Sequence, residues 1–258
     1  MSRRLTATSG TAKPIDRPFS NFSFAEEHFQ ASFPIRRLFS QARSRGCRTL
    51  VIEDVEPSGV VQDENEEILR YCPDFQFAHL KRVSFWKPKF DKVRDLRKYS
   101  NGDTIGYALL KHDICPSRNI NRWHIFESVV RQYEHHHNYV PCARQFSFRA
   151  GKYDFEVHGV LYCQQNLLNK ACAQVALRSA CATYLADPDL TYSRINQLAF
   201  QDIDIKEPWN GLMTPQIPKV LNGFRAIPQR VNKTAGTAVW PRHLNSVLPA
   251  GAQIQPVL

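Results

Sequence analysis

The sequence predicts an α+β fold, a β-rich N-terminal unit followed by a helical stretch. Two observations predict it. Between Cys47 and Cys163 the apolar residues fall in short β-rich runs separated by turn residues. From Gln164 onward, apolar and small residues recur at three- and four-residue spacing. The bulk composition agrees: 258 residues, 43% hydrophobic and 22% charged, are globular proportions.

Taken in order, residues 1–45 are rich in Ser, Arg and Phe without sustained periodicity. They are expected to form a disordered basic arm, with one short helix around Phe24–Phe29. CRTLVIEDV (47–55) reads as the first strand, stopped by Pro57-Ser58-Gly59. DENEEILRYC (63–72) reads as a short helix with an acidic first turn. RVSFW (82–86), TIGYALLKHDI (104–114) and RWHIFESVV (122–130) read as strands. Residues 144–163 read as a hairpin turning at Ala150-Gly151, with Phe146, Phe148, Tyr153 and Phe155 alternating along its arms. KACAQVALRSACATYLA (170–186) is then a small-residue helix able to pack closely, ended by Asp187-Pro188. LTYSRINQLAF (190–200) is a second helix, with Thr191 or Ser193 near its N-cap. GLMTPQIPKVLNGF (211–224) contains a third, capped by Thr214, with Pro215 in its first position and Gly223 at its C-cap. The expected organisation is an arm over 1–45, a β-rich unit over 46–158, a helical unit over 159–227 and a weakly ordered tail over 228–258.

Charge and cysteine usage narrow the function. The net charge is +10, but residues 1–50 hold nine Lys/Arg against three Asp/Glu, and residues 51–200 hold 19 against 18. The positive charge therefore lies mainly in the arms. Residues 51–200 carry no basic stripe with interleaved aromatics, so no nucleic-acid partner is expected. No apolar run approaches the roughly 20 residues a membrane helix needs, and the first 20 residues lack a signal-peptide core. Seven Cys without a C-x-x-C pair read as reduced thiols in a cytoplasmic protein.

The chemistry-bearing feature is QQNLLNKACAQVALRS (164–179). It sets Cys172 at the start of a buried helix, where unpaired N–H groups and the helix dipole favour negative charge on sulfur. A thiolate is the nucleophile of acyl transfer. A Gln just upstream can reach the same cavity and, with the Cys172 backbone N–H, donate to a developing oxyanion. A His to take the thiol proton completes the requirement.

With the INQLA and GLMTPQIPKVL segments that follow, this stretch resembles papain-like cysteine peptidases, most closely the bacteriocin-leader-processing type. The resemblance covers about residues 159–227. It implies the helical half of a papain-like fold and hydrolysis or transfer at a peptide or isopeptide bond. Cys172 then falls on the nucleophile and Gln165 on the oxyanion donor, with Gln164 second. In that family a following β-sheet carries the catalytic His and its Asn or Asp partner. Only His243 follows Cys172, in a context unlike a strand, and Asn245 is too close to it to be the usual partner. The base is therefore His243 or absent, and the chain is expected to be a truncated or incomplete member. No cofactor and no metal are implied, and the partner is a peptide or protein. The alternative is a non-catalytic papain-like scaffold that binds a protein partner.

Other features are read as structural. His135, His136 and His137 follow Glu134, but adjacent side chains diverge on any regular element. A metal site there would need help from His112, His124 or Cys142. The acidic run Asp63–Glu67 is read as the first-turn face of a helix rather than a carboxylate pair for acid–base work, and Trp86, Trp123, Phe146 and Phe148 as core.

Overall fold

Thr104–Cys115 forms the strand β4, buried along nearly its whole length because strands flank both its edges and other elements cover both its faces. The computed structural model describes residues 5–15, 21–30, 32–57, 59–132, 144–168, 171–184, 190–200 and 211–231. Within them one antiparallel sheet of seven strands has the order β1-β2-β3-β4-β5-β7-β6. Its other strands are β1 (Ala7–Pro14), β2 (Thr49–Val55), β3 (Gln76–Trp86), β5 (Ile120–Arg131), β6 (Arg144–Ala150) and β7 (Tyr153–Tyr162). The helices are α1 (Asn21–Phe29), α2 (Phe33–Ser44), α3 (Val60–Leu69), α4 (Cys172–Tyr184), α5 (Tyr192–Ala199) and α6 (Gln216–Val231). The chain is thus α+β, with a curled antiparallel sheet.

Two faces of the sheet carry different helices. On one, α1 and α2 bury Phe24, Phe29, Ile35, Leu38 and Phe39 against β2–β5. On the other, α3, α4, α5 and α6 share a cluster with Leu109 and Phe126. A register shift opposite Leu109/Leu110 lets both Phe126 and Glu127 of β5 reach the helical side. β4 and β5 approach closely at Gly106. A side chain at Gly106 would meet the Val129 carbonyl oxygen at 2.1 Å, so only glycine fits. The β6–β7 hairpin folds back toward β2, and its turn N–H at Gly151 donates to Glu53 Oε1 at 2.7 Å. Phe155 meets the Trp86 ring edge-on at 4.7 Å.

Three sequence expectations change. Beyond the short helix expected around Phe24–Phe29, which α1 covers, the residues expected as a disordered arm form β1 and α2. Ile35, Leu38, Phe39 and Ala42 make a helical stripe that buries into the core. β1 is mostly exposed and is held by backbone pairing to β2, so no apolar alternation announces it. The boundary expected at residue 159 falls inside β7, and α4–α6 share their core with residues of the β-rich unit. Gly223 does not end a helix, because α6 runs through it to Val231, past the expected tail boundary. Thr191, by contrast, caps α5 by accepting the Arg194 N–H at 3.1 Å. Asp187-Pro188, Glu134, His135–His137, Cys142, His243 and Asn245 lie outside the described residues.

Candidate active site

Val175 N–H donates to the Ala171 carbonyl at 2.9 Å, which makes Ala171 the N-cap and Cys172 the first residue of α4. The N–H groups of this first turn have no carbonyl one turn earlier within the helix. Cys172 is exposed, whereas Cys47, Cys72, Cys115, Cys163 and Cys181 are buried. Its Sγ lies 3.0 Å from Gln165 Oε1. The same amide carries two N–H donors on its other arm, and a half turn of the group exchanges the two.

The segment between β7 and α4 is pinned where it crosses β5. Gln164 continues the strand pairing: its N–H donates to the Ile125 carbonyl at 2.8 Å, and its Oε1 accepts the Ile125 N–H at 3.0 Å. Arg122 Nη2 donates to the Gln165 carbonyl at 3.1 Å. Asn166 Nδ2 donates to Glu64 Oε1 at 2.9 Å, and Asn166 Oδ1 accepts the Leu168 N–H at 2.9 Å. Leu167 takes φ +63, a left-handed conformation that a branched side chain rarely adopts, and it is exposed. Gln164 is therefore committed to the sheet, while the Gln165 side chain meets the thiol.

Beneath this segment lies a buried ionic cluster. Lys111 Nζ is 2.7 Å from Glu64 and 3.2 Å from Asp113. His124 Nδ1 is 3.4 Å from Asp113 Oδ2. All four side chains are at most 2% exposed. Neither His124 ring nitrogen nor either Asp113 oxygen has a partner of good hydrogen-bond geometry among the described residues. Burial pushes the His124 ring down, against the pull of Asp113 and Glu64, and favours neutral imidazole. Burial would raise Glu64, but the Lys111 charge, with hydrogen bonds from Lys111 and Asn166, holds its carboxyl below the usual range. Burial would lower Lys111, but Glu64 and Asp113 outweigh it and hold the ammonium above its ordinary value. A second charged link lies further along α4. Arg178 pairs with Glu127, stacks on Phe126 at 4.6 Å and donates to Cys163 Sγ at 3.3 Å.

Of the residues expected to carry chemistry, Cys172 and Gln165 come together, and His243 lies outside the described residues. His112 and His124 do not converge on an ion. His112 stacks on Trp123 at 4.8 Å, and the next residue on β5, His124, points to the opposite face. No group of three metal-ligating side chains forms among the described residues. The acidic run is not simply a solvated face: Glu64 and Glu67 are buried, and Asp63 binds the Ser193 N–H at 3.1 Å. The sequence reading missed the Lys111–Asp113–His124–Glu64 cluster. Its one signal is Lys111 and Asp113, two same-face charges inside an otherwise apolar strand, which demand buried partners. No helix among the described residues is long and apolar enough to cross a membrane. No family model matches the chain, nor does any curated protein or solved structure.

Proposed function

We propose that Cys172 is the nucleophile of a papain-like thiol site that cleaves or transfers at a peptide or isopeptide carbonyl. The observation that carries this is the exposed Cys172 Sγ, 3.0 Å from the Gln165 amide, in the first turn of α4. Sulfur attacks the carbonyl carbon and a C–S bond forms. The oxygen becomes an oxyanion, which accepts from the Gln165 amide and the Cys172 N–H. Collapse breaks the C–N bond, and the departing amine takes a proton from the conjugate acid of the base. Water, deprotonated by that base, then opens the thioester.

The base is His243 or absent. His124 does not serve, because it is fully buried and neither of its ring nitrogens bonds to the exposed Cys172.

The test is carbamidomethylation by iodoacetamide at pH 6, localised by mass spectrometry. Native Cys172 should label at least tenfold faster than in denatured chain. Gln165→Ala and His243→Gln should each slow it. Labelling that His243→Gln leaves unchanged removes His243 as the base. Labelling no faster than that of the denatured chain ends the proposal and favours the non-catalytic scaffold.

A further inference from the structure

A cavity of about 520 Å³ lies on the other face of the sheet, between α2 and the β5–β7 edge. That size is in the range of small-molecule sites. Its walls include Leu38, Ile125, Val130 and Val160. Phe33 and Tyr162 flank the opening and are 74% and 47% exposed, two of the six large apolar side chains left exposed among the described residues. Such a concentration around one concavity is the mark of a binding site rather than of scattered surface residues.

The polar lining is one-sided. Among the described residues, Arg37 and Arg45 line the cavity with no Asp or Glu. Arg45 is held in place, its Nε donating to the Arg131 carbonyl at 2.6 Å and its Nη1 to the Gln41 carbonyl at 3.0 Å. The two arginines of α2 differ in their pairing. Arg36 pairs with Glu26 of α1, whereas Arg37 makes no ion pair among the described residues and bears electrostatically on the Tyr162 phenol. A largely apolar chamber with a guanidinium at its mouth that no described carboxylate pairs complements one kind of molecule.

We infer that this cavity binds an anionic amphiphile, a carboxylate on an alkyl body, with Arg37 receiving the carboxylate and Val160, Ile125 and Leu38 enclosing the chain. The site is independent of Cys172.

Isothermal titration of the full chain with decanoate, below its micelle-forming concentration, tests the inference. Decanoate should bind with one-to-one stoichiometry. Octanoate, two methylenes shorter, should bind about tenfold more weakly. Decanol should bind at least tenfold more weakly, as should decanoate to Arg37→Glu, with Arg37→Lys in between. Val160→Phe, which narrows the chamber, should also weaken binding, and Cys172→Ala should leave it unchanged. Absence of decanoate binding overturns the inference. So does equal binding of decanol, or binding indifferent to both Arg37→Glu and Val160→Phe.

Discussion

Cys47 and Cys172 carry the same thiol in opposite settings. Burial pushes Cys47 up to about 12, against hydrogen bonds with the backbone of Trp86 and Thr49, and it packs as an apolar residue. Cys172 stands in the open. Burial likewise sets the acid response of His124, and the Lys111 ammonium sets that of Glu64 against burial. Below the ordinary histidine value of about 6.5, the unfolded chain binds a proton at His124 that the folded chain resists. Stability should therefore fall with pH there, by up to about 1.4 kcal/mol per pH unit. Glu64 acts in the same direction at lower pH. Its contribution is full above the ordinary carboxylate value and is lost as pH falls through its depressed folded value. Urea unfolding at a series of pH values should show the slope, and His124→Gln should flatten its upper part. An unchanged slope in that variant would remove His124 as its source. Cys172 and Gln165 were legible because their residue types and spacing are local. His124 was not, because its neighbours Asp113 and Glu64 arrive from β4 and α3.

Helix ends and helix contacts separate what is local from what is not. The start of α5 was readable, because a Thr before a helical stripe supplies the N-cap acceptor through its own side chain. Gly223 was misread because a glycine near the end of an apolar stripe looks the same whether it caps a helix or packs one. A Cβ there would meet Leu198 Cδ2 at 2.6 Å, so the glycine lets α6 approach α5. Leu198 is 4% exposed and has little room to yield. Gly223→Ala should therefore destabilise by about 1–2 kcal/mol, as overpacking outweighs the roughly 1 kcal/mol of helix propensity that alanine restores. In a double-mutant cycle, Leu198→Ala should cancel much of that penalty. Stabilisation by Gly223→Ala alone would show that the close approach carries no weight. The same distinction explains α1 and α2: their helical stripe is in the sequence, but its burial depends on the apolar sheet face that Phe85, Leu110 and Ile125 present.

Across the molecule, buried charges tie separate elements together. Arg178 and Glu127 are both fully buried, and their pair joins α4 to β5, with the Tyr107 hydroxyl also donating to Glu127 at 3.2 Å. Arg82 and Glu53 do the same for β3 and β2, and Arg82 reaches the Leu5 carbonyl at 2.7 Å. Removing one partner of such a pair strands the other, at a cost of about 3–5 kcal/mol. Arg178→Met should destabilise by that amount in chemical denaturation. Arg178→Met with Glu127→Leu should recover most of it, because no charge is then left buried alone. A double variant as unstable as the single one would place the cost in lost packing over Phe126 and not in the charge.

The sequence by itself determined the α+β class, most strands and helices, and the pairing of one cysteine with a nearby glutamine. Those features follow from periodicity and residue type within a window of a few residues. Only the tertiary structure decided that the N-terminal segment is built into the fold, that the helices rest on an upstream sheet, and that charges cluster beneath the Gln165 segment. Each of these depends on partners far apart in the chain. Burial, which turns a charged side chain from a solvated group into one that must be paired, is a property of the assembled layers and leaves no mark on any single segment.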